Sequence, residues 1–180
     1  MGPTQTIRPT FSRVLAVAVA GCALLALGLV GAQAGPLAAL RLLPPLAVVV
    51  LLAWAVLWRP LVEVSDGGVL LVNPWRTVHV PWPALREVDE KWSLTVRTTD
   101  GRAFTAYAAP APGAVGSDRL GLSGAAAAAV HDRRERLERA GYLTEVKPEG
   151  APVTVRAHLR TLAGRGVLLA ASAVSLLLPG

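Results

Sequence analysis

Acidic residues are missing from the first third of the chain. All 12 Asp and Glu fall between Glu63 and Gly150, and the only charges before Glu63 are Arg8, Arg13, Arg41 and Arg59. Cysteine occurs once, as Cys22 within an apolar run, which excludes a disulfide framework or a cysteine metal site inside one chain. Its expected role is that of a small packing hydrophobe. Lysine is confined to Lys91 and Lys147. With 53% hydrophobic and only 17% charged residues, and a mean hydropathy of +0.48, the chain is too apolar for an ordinary soluble domain of its size. The apolar residues are also bunched, and bunching points to a bilayer where dispersion would point to a core.

The net charge of +6 suggests nucleic acid until the chain is divided. Four of the 18 Lys and Arg precede Glu63, and Arg156, Arg160 and Arg165 follow Gly150. The 11 that remain face all 12 acidic residues, a net of −1. The polar stretch is therefore close to neutral, and the excess of positive charge belongs to the flanks of apolar segments, which topology explains better than nucleic acid does.

Residues 14–32 are uncharged and apolar over about 19 positions, close to the roughly 20 that cross a 30 Å hydrocarbon layer as a helix. A second span is expected over 42–58, with Pro44 and Pro45 in its opening turn, Trp54 and Trp58 at headgroup level, and Arg59-Pro60 as its stop. Leu37–Leu40 is available to lengthen it. Residues 33–41 make the external loop. Arg8 and Arg13 before the first span and Arg59 after the second outnumber Arg41, which places residues 1–13 and the polar stretch in the cytoplasm of a multi-pass plasma-membrane protein. The competing reading of the first segment is a cleaved leader, because Ala32-Gln33-Ala34 fits a small-x-small cleavage pattern. A third span is expected over 162–178, with Arg156, Arg160 and Arg165 as interfacial charges behind a juxtamembrane linker at 148–161.

From Leu61 the apolar period changes to two. Val62 and Val64 alternate with Glu63 and Ser65, and Asp66-Gly67-Gly68 supplies a hairpin turn. Val69–Val72 continues as a strand, Asn73-Pro74 turns the chain, and Val78 and Val80 mark a third strand that Pro81 and Pro83 must end around Trp82. Leu85–Glu90 reads as a fourth, less regular strand. Leu94, Val96 and Thr98 share one face of a fifth, Asp100-Gly101 turns, and Phe104 and Ala106 lie in a sixth. After the Pro- and Gly-rich Ala109–Gly116, a helix is expected over 123–140, with Ser123 as its cap and Gly141 as its stop. Its stripe is Ala126, Val130, Leu137 and Ala140. Asp132 with Arg136, and Glu135 with Arg139, form acid-first pairs on the other side, and the run of Arg133, Arg134, Arg136 and Arg139 reads as a solvated face of mixed charge.

Arg59-Pro60, Val62-x-Val64, Asp66-x-Gly68-Val69, Asn73-Pro74, Val80-Pro81-Trp82 and Asp100-Gly101-Arg102, in that order behind paired apolar segments, resemble the bacterial PH-like domain of the low molecular weight protein antigen 6 type, as found in actinobacterial PH domain-containing membrane proteins. The resemblance covers about 50 residues. It implies an α+β domain over 59–147, a PH-like antiparallel meander of six to seven strands capped by a C-terminal helix and carried on a membrane α-helical anchor. The residues supply six strands, and Ala109–Gly116 lies where a seventh belongs. The resemblance brings no catalytic residues with it.

Chemistry-bearing constellations are absent from the pattern. His79, His131 and His158 are widely separated and have no cysteine partner. Glu87, Asp89 and Glu90 read as solvated carboxylates at a strand edge, and Gly67-Gly68 is accounted for by its turn. No catalytic, cofactor-binding or metal residue is assigned and no cofactor is expected. Trp75 and Arg76 in the Asn73-Pro74 turn, and Trp92 beside Lys91, are the candidates for contact with a partner. Trp82 is expected in the core. The membrane-interface candidates are Trp54, Trp58, Arg59, Arg156, Arg160 and Arg165. The expected function is a membrane-anchored, non-catalytic interaction module for an unknown protein, self-association included through Gly28 and Ala32. Lipids surround its spans, and no nucleic acid or small-molecule substrate is indicated. The alternative is recognition of lipid headgroups, or lipid handling, at the membrane surface.

Overall fold

The computed structural model describes residues 2–110, 121–143 and 152–158. They fall into two compact units, one built on residues 10–58 and one that joins residues 2–9 to Arg59–Ala157.

The first unit is a helical hairpin. α1 (Thr10–Ala34) and α2 (Pro36–Ala53) are separated only by Gly35, whose φ of 87° breaks the helix, and Pro36 then occupies the first helical turn. A Cβ added at Gly31 would lie 3.5 Å from that of Ala39, so small residues line the hairpin near its turn. α2 runs on through a wider π-type turn, Trp54–Trp58. The expected loop at 33–41 thus contracts to one residue, and the second helix begins at Pro36 instead of Leu42. Pro44 and Pro45 consequently lie inside α2, where each removes a backbone donor. Thr10–Ala34 has 25 residues and contains an 18-residue stretch of mean hydropathy 2.6, and Pro36–Trp58 has 23 residues with an 18-residue stretch of 2.2. At about 1.5 Å per residue both exceed a hydrocarbon layer of about 30 Å, so both are long and apolar enough to cross a membrane. Val14, Leu24, Leu25, Leu29, Leu37 and Leu40 are all exposed, the reverse of a helix buried in a soluble core.

The second unit holds two antiparallel sheets and a helix. Its strands are β1 (Gln5–Ile7), β2 (Leu61–Ser65), β3 (Gly68–Val72), β4 (Arg76–Val80), β5 (Leu85–Asp89), β6 (Ser93–Thr98), β7 (Ala103–Pro110) and β8 (Thr154–Ala157), with α3 (Gly121–Arg139) between the last two. One sheet has the order β1-β2-β3-β4-β8 and the other β5-β6-β7. Alternation creates the core: Val62 and Val64, Val69 and Leu71, Val78 and Val80, and Leu94 and Val96 are fully buried while their neighbours in sequence face outward. The register Val62↔Leu71, Val64↔Val69 and Leu71↔Val78 keeps one face apolar, and each such side chain contributes about 1.5–3 kcal/mol. Trp82 is in the core as expected, its Nε1 donating to the Ser65 carbonyl at 3.1 Å. Pro81 and Pro83 flank it at a single 3-10 turn between β4 and β5.

Two strands come from segments without alternation. Gln5–Ile7, in what read as a cytoplasmic tail, pairs with β2 through Thr6↔Glu63 and Ile7↔Val62. Thr154–Ala157, within the expected linker, pairs with β4 through Arg76↔Ala157 and Val78↔Val155. Each extends an edge already formed, where backbone pairing alone is sufficient. The Pro- and Gly-rich Ala109–Gly116, at the place of a seventh strand, lies mostly outside the described residues, although β7 itself reaches Pro110. The third span at 162–178 also lies outside them.

α3 packs on β2, β6 and β7. Ala126 and Val130 are buried and Leu137 is packed against the core, whereas Ala140 is exposed because the helix ends there. Gly141, at φ 75°, closes it with Tyr142 N–H donating to the Leu137 carbonyl. Ser123 is no cap. The helix starts at Gly121, which puts Ser123 inside its first turn, buried, with no hydrogen-bond partner among the described residues. Asp132–Arg136, Glu135–Arg139 and also Arg134–Glu138 form exposed ion pairs, each worth a few tenths of a kcal/mol. Arg133 departs from the solvated run. It is 3% exposed, on the buried stripe, with Nη1 donating to Asp66 Oδ1 at 2.9 Å and Nη2 to the Pro3 carbonyl.

Gly68→Ala is expected to be severely destabilising. Gly68 has φ 137°, and an added Cβ would stand 2.3 Å from the Val80 carbonyl oxygen, a backbone atom that cannot step aside. The two costs together amount to about 2–5 kcal/mol, read as a lowered unfolding midpoint of Trp82 fluorescence. The two ends of the Arg133–Asp66 pair are expected to differ. Asp66 is 29% exposed and can regain water, so Arg133→Met should cost little. Asp66→Ala strands a buried guanidinium and should cost about 3–5 kcal/mol in the same measurement. Equal losses would contradict this asymmetry.

Candidate functional site

The β3–β4 turn is fixed from below by Asn73. Its backbone N–H donates to the Arg76 carbonyl at 2.9 Å, and its buried side chain reaches the other sheet. Nδ2 donates to the Thr105 carbonyl and Oδ1 accepts the Tyr107 N–H, both at 2.8 Å. A side-chain amide thereby supplies the two bonds that a neighbouring strand would have made. Trp75 is presented on this turn, 45% exposed. Arg76 opens β4 with its guanidinium carbon 5.6 Å from the Phe104 ring centroid, and Arg102 lies at 5.6 Å from the same ring.

Trp92 stands on a different hairpin, in the other sheet. It is 81% exposed at the β5–β6 turn, where Lys91 N–H donates to Asp89 Oδ1 at 3.0 Å and sets the backbone of the tip. Further along the same two strands the register slips. Leu85 pairs with Thr98 but Glu87 with Arg97, so Arg86 is an extra residue in β5. Leu85 and Val88 pack inward while Arg86 and Glu87 both stay exposed. Arg86, Glu87, Arg97, Thr98 and Gly101 line an open depression of about 200 Å³. The signal for it was present in the sequence: two adjacent polar residues between apolar ones break a period of two, and that break is what made the fourth strand look less regular.

The β6–β7 turn beside the depression is held by Asp100. Its carboxylate accepts Arg102 Nε at 2.7 Å, Arg102 N–H at 3.2 Å and the Thr98 hydroxyl. The side-chain bond from Arg102 and then that from Thr98 lower its pKa from 3.8 to about 2.

Of the expected interface residues, Trp54 and Trp58 are exposed on the π-type turn, and the Arg13 guanidinium carbon lies 5.1 Å from the Trp58 ring centroid. Arg59 stands one residue ahead of β2, with Pro60 between them. Arg156 belongs to β8, opposite Thr77, rather than to a linker. Arg160 and Arg165 lie outside the described residues. Among the described residues no group of His, Cys, Asp and Glu is placed to hold a metal ion.

A family model described as Bacterial PH domain matches residues 59–176, and the protein belongs to that bacterial PH domain family. No curated protein and no solved structure matches the chain. The match begins at Arg59, so β1, which completes one edge of the sheet, lies outside it.

The Asp100 turn is expected to respond to acid and to nothing milder. A carboxyl with a depressed folded pKa stabilises above its unfolded value and loses that contribution as pH falls through the folded one. The turn should therefore hold down to about pH 4 and loosen between about 4 and 2. Titration of the Asp100 carboxyl by NMR should give a midpoint near 2. Asp100→Asn should remove the transition.

Proposed function

We propose that the protein is a non-catalytic, membrane-anchored interaction module. In this reading α1 and α2 tether the PH domain to the cytoplasmic face of the plasma membrane, and the domain binds a protein there. The assigned orientation follows the excess of Arg8, Arg13 and Arg59 over Arg41. The six strands β2–β7 with α3 are then the bent, helix-closed sheet of a PH-like fold.

Trp92 carries the proposal. An indole 81% exposed at a turn whose backbone is held by the Asp89–Lys91 bond has only side-chain rotamers left to fix on binding. Large apolar side chains presented in this way are the residues that dominate protein contacts. Trp75, on the turn that Asn73 holds, is the second candidate. The anchor adds to this, because confinement to a membrane raises the effective concentration of any partner confined with it.

A photo-crosslinking residue in place of Trp92, in the full chain in native membranes, is expected to yield one or a few discrete protein adducts. The same residue at exposed Thr6 should yield none of them. Adducts to lipid alone would instead support headgroup recognition or lipid handling, and adducts only to a second copy would support self-association. No adduct at Trp92 or Trp75 would overturn the reading.

A further inference from the structure

The outer face of the second sheet carries one feature that its fold does not require. Between Leu85 and Glu87 the strand admits one extra residue, and that bulge turns Arg86 to the solvent side together with Glu87. A regular strand would have sent one of the two inward. Opposite them is Arg97 of β6, also exposed, and Thr98 and Gly101 complete the depression of about 200 Å³. Gly101, at φ 82°, donates its N–H to the Thr98 carbonyl, so the wall is a fixed turn.

The charges in this depression are unequal. Arg102 beside it is neutralised by Asp100. Arg86 and Arg97 form no ion pair with any described residue, even though Glu87 faces Arg97 in register. Two guanidiniums against one carboxylate leave a local charge of +1. A guanidinium presents paired N–H groups that match two oxygens of one oxyanion, and a pair of them held by adjacent strands is set for one such group.

We infer that the depression between β5 and β6 is a binding site for one carboxylate, presented by an acidic side chain of a protein partner and clamped between Arg86 and Arg97. A monoanion neutralises the site. A dianionic phosphate, or a headgroup with several phosphates, would set surplus negative charge against Glu87. The surrounding face also suits a polypeptide better than a lipid surface. Thr95 and Thr105 share a hydroxyl–hydroxyl contact of 3.1 Å on it, while Leu94, Val96 and Phe104 are turned into the core. Among the described residues no exposed aliphatic side chain lines the depression to enter an acyl layer. This inference rests on the interaction-module reading and names the chemistry of the partner's contact. Glu87 has the role of a selectivity residue, since it weakens every anion but penalises the more highly charged ones most.

The test uses the full chain in phosphatidylcholine nanodiscs with isotope-labelled arginine, the Nε–H resonances of Arg86 and Arg97 being assigned through Arg86→Gln and Arg97→Gln. The probe is the peptide acetyl-Gly-Gly-Glu-Gly-Gly-amide, compared with its Gln counterpart, inorganic phosphate and nanodiscs containing phosphatidylglycerol. The Glu peptide should shift both resonances saturably and the Gln peptide should not. Arg97→Gln should weaken binding about tenfold or more, and Glu87→Gln should tighten phosphate more than it tightens the Glu peptide. All three residues are exposed, so the variants should keep the fold, which the unchanged fluorescence of Trp82 would verify. An equal response to the Gln peptide, no response to the Glu peptide, or a response to phosphate or phosphatidylglycerol at lower concentration would overturn the site. Trp92 adducts that persist beside such a result would leave the module reading intact, whereas their loss beside a responsive site would sink that reading alone.

Discussion

A single buried guanidinium ties together three parts of the domain that lie far apart in the chain. Arg133 belongs to α3, its carboxylate partner Asp66 to the β2–β3 turn, and its carbonyl partner Pro3 to the segment that leads into β1. A charge at 3% exposure is tolerable only while those acceptors stay in place, so each of the three pieces has a reason to hold the other two. The contact is tight as well. A Cβ on Gly2 would come within 2.5 Å of Arg133 Nη1, so the N-terminal segment passes directly over the guanidinium. Arg133 Nε is buried with no hydrogen-bond partner among the described residues, a cost that the surrounding packing has to absorb.

Asn73 does for the two sheets what Arg133 does for the segments. Its amide bonds to β7 at both ends and makes a turn of the first sheet part of the second. The surface features that suit recognition are mounted on these fixed points and not on free loops. Trp75 sits on the Asn73 turn, Trp92 on the tip held by Asp89, and the depression lies between a bulge and the Asp100 turn. Pre-organisation of this kind lowers the entropy lost on binding without adding any contact. It also explains a polar inventory devoted to turns: the described side-chain hydrogen bonds of Asn73, Asp66, Asp89 and Asp100 all serve the scaffold.

Much of this architecture was legible in the sequence because it is local. Alternating apolar residues placed β2, β4 and β6, Asp66-Gly67-Gly68, Asn73-Pro74 and Asp100-Gly101 placed turns, and prolines around Trp82 ended β4. The first apolar segment was legible by length alone. What could not be seen depends on partners remote in sequence. Arg133 resembled its neighbours in a run of i,i+4 pairs, and nothing nearby told that its acceptor lies 67 residues away. β1 and β8 are three and four residues long and take their strand character from the edges that they join. Pro44 and Pro45 suggested a helix start that packing overrode, since the break falls at Gly35. Of the candidate site, the exposed tryptophans were identified from their turn positions. The Arg86–Arg97 depression was missed because a bulge shows in the sequence only as a strand that fails to alternate.

One domain is assembled from both sides of the helical hairpin in the chain, with residues ahead of α1 paired in register to residues behind α2. Cysteine pairs measure this most directly, because adjacent antiparallel positions have Cα atoms about 4.5–5.5 Å apart, within disulfide range. In a Cys22→Ser background, Thr6→Cys with Glu63→Cys should form an intramolecular disulfide under mild oxidation, since these positions face each other across β1 and β2. Thr6→Cys with Ser65→Cys, two positions out of register, should form it far more slowly. Failure of the first pair to close, or equal closure of both, would contradict the account.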